Sequence, residues 1–281
     1  MPSPQALEAA MNQARAREHQ RVEQQGLGRP IISAEMHDGT RAVAVSNKLF
    51  FIKGKTFYDF LGEYIRAVLT ADWGNAELKK PLQDRHLIFQ WYDAVCRAQQ
   101  RAGLDGKQVK ASDANAATQA YFQLAYDLYS LDHNAELQAK LLNRIKNPDQ
   151  YPGARYEIFV AASLIRAGFK DFRFEDEDDR SRKHCEFVAT APSGRTYSVE
   201  AKDRNTVEAN DVVRPRIIKR LQNALNKAAE HERIVFINVD LPNSTTLADI
   251  NVFRTRAAKE LRRAEALHDA ATAPEAAGVT A

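Results

Sequence analysis

The sequence predicts a mixed α/β fold of the α+β class, in which a mostly helical N-terminal region precedes an α-β-β-β-α-β unit. Apolar residues recur at three- and four-residue spacing over residues 56–148, which is typical of amphipathic helices. After Pro148 and the Pro152-Gly153 pair, segments of alternating apolar residues appear between helical patterns. The chain has 281 residues, of which 44% are apolar, so it can build a buried core.

The N-terminal region, residues 1–148, begins with a helix-forming segment over residues 4–25. Residues 30–53 predict a small three-stranded meander, in which Asp38-Gly39 is the signal for a two-residue hairpin loop. Four helical segments follow, with the sequences FYDFLGEYIRAVL, HLIFQWYDAVCRA, AYFQLAYDLYSL and ELQAKLLNRI.

The second predicted domain covers residues 149–267. Its start is placed there because Pro148 and the following Pro152-Gly153 break the preceding helix. Its elements are the helix ARYEIFVAASLIRAG, the strands FRFEDE, HCEFVAT and TYSVEAK, a helix over about 213–232, the strand RIVFINVD and a helix over about 247–267. Residues 268–281 are rich in alanine and lack periodicity, so we expect a flexible tail.

Composition excludes membrane and disulfide-rich classes. No run of about 18 apolar residues is present, and the N-terminus lacks the apolar stretch of a secretory signal. The absence of both features predicts a cytoplasmic protein. Cys96 and Cys185 lack the spacing of a disulfide framework or a zinc site. The net charge is +3, yet Lys202–Arg233 holds eight basic residues against five acidic ones, and Arg254–Arg263 holds five against one. These segments predict basic surfaces or solvated helix faces.

Two charged residues interrupt the third strand of the second domain. Glu200 and Lys202 lie in the segment TYSVEAK, which otherwise reads as a buried strand. Side chains alternate along a strand, so Ser198, Glu200 and Lys202 share one face. Because buried charges need partners, the pattern indicates a polar site on that face.

The segment APSGR joins this strand to the preceding one. It predicts a three-residue hairpin loop, with Pro192 and Ser193 in a type I turn and Gly194 in the left-handed conformation. In that register Glu186 lies opposite Glu200. Facing residues have Cβ atoms about 4.5–5.5 Å apart, and like charges there are destabilising. A divalent cation would offset the repulsion, since Mg²⁺ prefers carboxylate oxygens and keeps waters that can be activated.

A third carboxylate comes from the first helix of the domain. Glu157 lies at helical spacing from Val160, Ala161 and Leu164, so we expect it on the stripe that faces the sheet. The alternative is that Glu157 lies in the first turn of the helix, where the helix dipole alone favours an acid.

Together, Glu157 on a helix, Glu186 on a strand and Glu200-Ala201-Lys202 on the next strand resemble the PD-(D/E)xK nucleases, the restriction-endonuclease-like fold. The resemblance covers residue 150 to about residue 242. It implies that Glu186, Glu200 and the main-chain carbonyl of Ala201 hold Mg²⁺ or Mn²⁺, that Glu157 helps with the metal, and that Lys202 orients or deprotonates the attacking water. The family usually has aspartate, often after proline, where this chain has His184-Cys185-Glu186.

Phosphate contacts are expected from basic residues around the start of the second helix, with a solvated helix end as the alternative. These residues are Arg214, Arg216, Lys219 and Arg220. For the acidic run over residues 175–179, a solvated loop is favoured over additional metal ligands near the same end of the sheet. For His184, a structural role is favoured over a phosphate contact.

By this resemblance we expect a Mg²⁺-dependent endonuclease with a role in bacterial restriction or defence, and of the two substrates left open, DNA is favoured over RNA. A homodimer is one arrangement left open. The alternative is a catalytically inactive nuclease-fold module that binds nucleic acid or scaffolds a protein partner. A third hypothesis is that the basic surfaces contact an acidic protein.

Overall fold

A computed structural model describes residues 3–54, 56–103, 113–175, 184–203 and 221–238, together with short stretches between 246 and 266. The chain divides into two compact units. Unit 1 comprises Met1–Phe172 and Thr190–Arg195, and unit 2 comprises Arg173–Ala189 and Thr196–Ala281. The content of helices and small sheets is that of the predicted α+β class.

Most of the described helices lie in unit 1. In the described part of the chain they are α1 (Pro4–Gln25), α2 (Phe57–Leu69), α3 (Ala71–Leu78), a 3₁₀ turn (Leu82–Asp84), α4 (Leu87–Arg101), α5 (Ala116–Asn134), α6 (Ala139–Lys146) and α7 (Tyr151–Arg166). No described helix combines the length and the apolar content that crossing a membrane requires.

Helix α5 forms the centre of unit 1, because α2, α4 and α7 all pack against it. Two buried polar groups on α5 are paired rather than isolated. Asp132 accepts a hydrogen bond of 2.9 Å from the Tyr64 hydroxyl of α2. Asp127, which is fully buried, forms ion pairs with Arg155 and Arg166 of α7 at 2.9 and 2.8 Å. Pairing of this kind offsets much of the cost of burying charge.

The predicted meander is present as the antiparallel strands β1 (Ile32–Glu35), β2 (Arg41–Val45) and β3 (Lys48–Ile52). Its first loop was predicted wrongly. Met36 and Thr40 close a three-residue loop, because the Met36 N–H donates to the Thr40 carbonyl and Gly39 adopts a φ of 78°. The loop therefore has three residues, 37–39, with Gly39 in the left-handed conformation, instead of the two-residue turn that Asp38-Gly39 predicted.

The second sheet has the strand order β4-β5-β6-β7, with β4 (Lys170–Phe174), β5 (Phe187–Thr190), β6 (Thr196–Lys202) and β7 (Glu232–Ile237). Strand β7 runs parallel to β6, and Glu200 pairs with Val235. Parallel neighbours need a crossover connection, and residues 221–225 of that connection are helical.

The helix predicted over 213–232 ends earlier than the sequence indicated. The described helical residues stop at 225, and Ala228 forms an isolated parallel bridge with His184. Strand β7 then begins at Glu232. The pairing of Ala228 with His184 thus outweighs the helical propensity of Ala228 and Ala229.

Helix α7 corresponds to the helix predicted at the start of the second domain. The helix begins at Tyr151, and Pro152 lies in its first turn, where no helical hydrogen bond needs the N–H that proline lacks. Pro152-Gly153 is therefore part of the start of this helix. Helix α7 belongs to unit 1, and the predicted boundary between residues 148 and 149 stays a prediction. The described residues between 247 and 266 are helical, as predicted, and the predicted tail over 268–281 lies outside the described residues.

Candidate active site: a carboxylate–lysine cluster

The hairpin that leads into β6 forms as predicted. The Gly194 N–H donates to the Ala191 carbonyl at 2.9 Å, and the Ala191 N–H donates to the Arg195 carbonyl at 2.8 Å. Gly194 has a φ of 85°, the left-handed conformation that a residue with a Cβ adopts at a cost. Ala191 therefore opposes Arg195 across a three-residue loop.

The predicted opposition of Glu186 and Glu200 is wrong by one residue. In the register that the loop sets, Phe187 opposes Val199. The Glu186 N–H nevertheless donates to the Val199 carbonyl at 3.0 Å, so Glu186 lies beside Val199 and immediately before β5. Glu186 and Phe187 therefore both lie opposite Val199, which is the arrangement of a β-bulge. A bulge bends the strand and changes the direction of its side chains.

The two carboxylates still converge, through two lysines. Lys227 Nζ lies 2.8 Å from Glu200 Oε1 and 3.1 Å from Glu186 Oε1. Lys202 Nζ also contacts Glu200 Oε1 and lies 3.6 Å from Glu186 Oε1. We call Glu186, Glu200, Lys202 and Lys227 the carboxylate–lysine cluster. Two negative and two positive groups make the cluster electrically neutral.

Burial makes this cluster energetically sensitive. The Glu200 side chain is 0% exposed, whereas those of Glu186, Lys202 and Lys227 are about one-fifth exposed. Glu200 Oε1 faces both ammonium groups, but Glu200 Oε2 has no hydrogen-bond partner among the described residues. A buried carboxylate oxygen without a partner is costly, so Glu200 retains one ligand atom for a further donor or ion.

The surroundings shift the pKa of both central groups upward. Burial raises the pKa of Glu200, and the nearby Glu186 carboxylate raises it further, against the opposing hydrogen bonds from the lysines. Burial lowers the pKa of Lys227, but the Glu186 and Glu200 carboxylates more than reverse this, so its net pKa is raised. Lys227 therefore holds its proton firmly while ionisation of Glu200 carries a cost.

Neighbouring groups hold the main chain of Lys227 in place. Lys227 follows the helical residues 221–225, and its carbonyl accepts a hydrogen bond from the Arg233 guanidinium of β7. The Cys185 thiol lies 3.6 Å from the carbonyl of Ala228, the next residue along. Burial raises the pKa of this thiol, and the Glu200 charge adds to the rise, so Cys185 is favoured as a neutral packing group.

Glu157 has a different environment, within unit 1. Arg144 binds both of its oxygens, with Nη2 at 2.6 Å from Oε1 and Nη1 at 2.8 Å from Oε2. The interpretation as a first-turn acid is wrong, because α7 begins at Tyr151 and its first turn holds no acidic residue. A bidentate arginine pair stabilises this carboxylate instead.

Several predicted contacts fall outside the described residues. Residues 176–179 of the acidic run lie there, while Glu175 Oε2 lies 3.7 Å from His184 Nδ1. The expected phosphate-binding residues Arg214, Arg216, Lys219 and Arg220 also lie outside the described part of the chain.

Sequence reasoning missed Lys227. It was counted only as one of the basic residues between Lys202 and Arg233, inside a helix predicted to continue to Glu232. It lies 41 residues from Glu186, and the contact depends on the path of the crossover. The available signal was indirect, since a crossover must return over the sheet before β7 and can bring a long side chain to it.

The described residues contain no group of three or more histidine, cysteine or acidic side chains arranged as metal ligands. The acidic pair Glu186 and Glu200 is nevertheless a suitable donor set, because Mg²⁺ is often held by one or two carboxylates and completes its shell with water. Both carboxylates already direct Oε1 toward one ammonium nitrogen, which marks a cation position between them. Ala201, between Glu200 and Lys202 in β6, is 5% exposed.

Comparisons of the chain with protein-family models, with curated proteins and with solved structures found no match.

Proposed function

We propose that this protein is a metal-dependent nuclease that hydrolyses phosphodiester bonds of DNA. The observation that supports it is the convergence of two carboxylate oxygens on one cation position, with Lys227 Nζ at 2.8 Å from Glu200 and 3.1 Å from Glu186. Lys202 lies beside the same oxygens. Paired carboxylates can hold a metal ion that activates water for attack on phosphate, and the resemblance to PD-(D/E)xK nucleases implies that an adjacent lysine assists.

The strand order also supports the proposal. Consecutive strands β4, β5 and β6 are followed by a crossover and by β7 parallel to β6. The resemblance to PD-(D/E)xK nucleases predicts an α-β-β-β-α-β order, and three consecutive strands followed by a parallel strand are compatible with that prediction. In that resemblance the acids and the lysine lie on the central strands, which is where Glu200 and Lys202 lie in β6.

Glu186, Glu200 and the Ala201 carbonyl would hold Mg²⁺ or Mn²⁺. When bound, such an ion supplies charge stabilisation and lowers the pKa of a coordinated water. Lys202 would orient the attacking water or take its proton. Glu157 remains a predicted third carboxylate, and it would have to release Arg144 before it could bind an ion.

Nucleic acid is the proposed partner, with DNA favoured over RNA. The phosphate contacts assigned to Arg214, Arg216, Lys219 and Arg220 stay predictions, as does the homodimer. Lysine and arginine contacts of this kind make binding depend steeply on salt, which gives a direct test of the polyanion interface.

The experiment incubates supercoiled DNA, linear DNA and RNA with the protein in Mg²⁺ or Mn²⁺. We expect wild type to cleave DNA and Glu200→Ala and Lys202→Ala to lose most of that activity. Arg173→Met is the matched control, because Arg173 pairs with Glu230 on the surface of the same unit and is 63% exposed. Wild-type cleavage no greater than that of Glu200→Ala would exclude the enzyme.

A second function is favoured by the neutrality of the cluster. Both carboxylates are already compensated by Lys202 and Lys227, so the cluster needs no metal ion to balance its charge, as expected of a binding module without catalytic activity. In that case the protein is a catalytically inactive nuclease-fold module that binds nucleic acid or scaffolds a partner. DNA binding that neither Mn²⁺ nor Glu200→Gln alters, without cleavage, would identify it.

A further inference from the structure

Lys227 uses the oxygens that a metal would use. Its Nζ contacts Oε1 of both Glu186 and Glu200, whereas Lys202 contacts Glu200 closely and Glu186 at 3.6 Å. An ammonium group in that position substitutes for a divalent ion by supplying positive charge between the carboxylates. A hydrated ion and the Lys227 ammonium cannot occupy this position together.

Charge balance gives the consequence. The carboxylate–lysine cluster is neutral, so a divalent ion added to it would leave a net charge of +2 in a largely buried site. Exchange of Lys227 for the ion leaves +1, and one phosphodiester then restores neutrality. The displaced Lys227 then carries one further positive charge, which a neighbouring phosphate of the same DNA neutralises.

The structure permits this exchange. Lys227 is anchored through its main chain by Arg233, while its ammonium sits at the end of a flexible four-carbon side chain that is 18% exposed. Lys202 lies in β6, two residues from Glu200. Glu200 Oε2 is buried and has no partner among the described residues, so Glu200 also offers an oxygen that neither lysine uses.

We propose that Lys227 occupies the metal position in the substrate-free protein and transfers its ammonium to a substrate phosphate when the ion binds. Metal and polyanion then bind cooperatively. The ion frees Lys227 to contact phosphate, and the phosphate stabilises the displaced Lys227, so each ligand lowers the free-energy cost of binding the other. This inference rests on the proposed metal-dependent function and adds to it a residue that binds phosphate.

The first test measures Mn²⁺ binding without DNA, by calorimetry on the full chain. Lys227→Met removes the competing cation, so we expect its Mn²⁺ dissociation constant to fall at least about tenfold below that of wild type. Lys227→Arg retains the charge and should bind Mn²⁺ as weakly as wild type. Arg173→Met removes a surface cation of the same unit and should leave the affinity unchanged. An unchanged or weaker affinity for Lys227→Met would overturn the proposal.

The second test measures coupling. The probe is a fluorescent DNA duplex with phosphorothioate linkages, which resist hydrolysis, and anisotropy gives its affinity with and without Mn²⁺. In wild type Mn²⁺ should tighten DNA binding, and Lys227→Met should lose most of that enhancement. Enhancement of equal size in both proteins would contradict the transfer of Lys227 to phosphate.

Lys227→Met can also fail to fold without metal, because it leaves a negative excess in the cluster. The proposal then requires Mn²⁺ to restore its melting transition, since the ion replaces the lost ammonium, and no recovery would refute it. The outcomes separate the two proposals. DNA cleavage by wild type with unchanged Mn²⁺ affinity in Lys227→Met refutes only the role of Lys227. Tighter Mn²⁺ binding without any cleavage refutes only the nuclease.

Discussion

Removal of the Lys227 ammonium should destabilise the protein measurably in the absence of metal. Lys227 contacts Glu200, whose side chain is 0% exposed, and Glu186, which is 19% exposed. Loss of one partner from a buried ion pair costs about 3–5 kcal/mol, because it leaves an uncompensated buried charge. Lys202 still contacts Glu200 in the variant, so we expect the lower end of that range for Lys227→Met, about 3 kcal/mol.

Urea unfolding in EDTA, followed by far-ultraviolet circular dichroism, measures this loss. Circular dichroism is preferred to tryptophan fluorescence because both tryptophans, Trp73 and Trp91, lie in unit 1, whereas the far-ultraviolet signal also includes the strands of unit 2. An unchanged slope with a lower midpoint would show a change in stability rather than in the compactness of the unfolded chain.

Two further variants identify the cause. Arg173→Met breaks an exposed ion pair and should cost no more than about 1 kcal/mol. Lys227→Met combined with Glu186→Gln removes one negative and one positive group, so the double variant should be more stable than Lys227→Met alone. A loss below about 1 kcal/mol for Lys227→Met, or no recovery in the double variant, would refute the assignment of Lys227 as the buried counter-ion.

Three other predictions concern unit 1. Burial lowers the pKa of His86 below its ordinary 6.5, against the opposing charge of Glu77, so the unfolded chain binds the proton first. Stability should therefore fall as the pH drops through 6.5, by at most about 1.4 kcal/mol per pH unit, and His86→Asn should lack that slope in urea titrations at each pH. Tyr64→Phe removes a buried hydrogen bond to Asp132 and should cost about 1.5–3 kcal/mol in urea unfolding, whereas a cost near zero would show that the bond is not formed. Asp127→Ala leaves the two arginines of α7 without their buried partner, and we expect a loss of about 3–5 kcal/mol in the same measurement.

Elements with strong local signals could be predicted from sequence. Helix α2 begins and ends at the limits of its amphipathic segment, because Thr56 and Asp59 form a capping box at its start. Strand β6 coincides with the segment TYSVEAK, since Gly194 defines the turn before it and the apolar alternation defines its length. The shared face of Glu200 and Lys202 follows from the same alternation, and their contact is observed.

The remainder depends on interactions that local patterns do not contain. The bulge at Glu186 places this residue beside Val199 instead of Glu200, although the hairpin turn from which the register was predicted is present. The helix before β7 ends early because Ala228 pairs with His184, 44 residues away in sequence. Lys227 enters the cluster only through that early end, so neither its position nor its partners could be read from helical periodicity.

The composition of the cluster favours a chemical role over a purely structural one. A buried ion pair is often no more stabilising than packed apolar residues of similar volume, which can be better by about 1–4 kcal/mol. The neighbours of Glu200 in β6, Val199 and Ala201, are apolar and buried, so the strand would pack with an apolar residue at position 200 as well. Glu200 instead has an unpartnered oxygen and a raised pKa, costs that folding alone does not require. A site that binds a cation and releases a lysine to phosphate accounts for both costs, because the ion satisfies the oxygen and stabilises the ionised carboxylate.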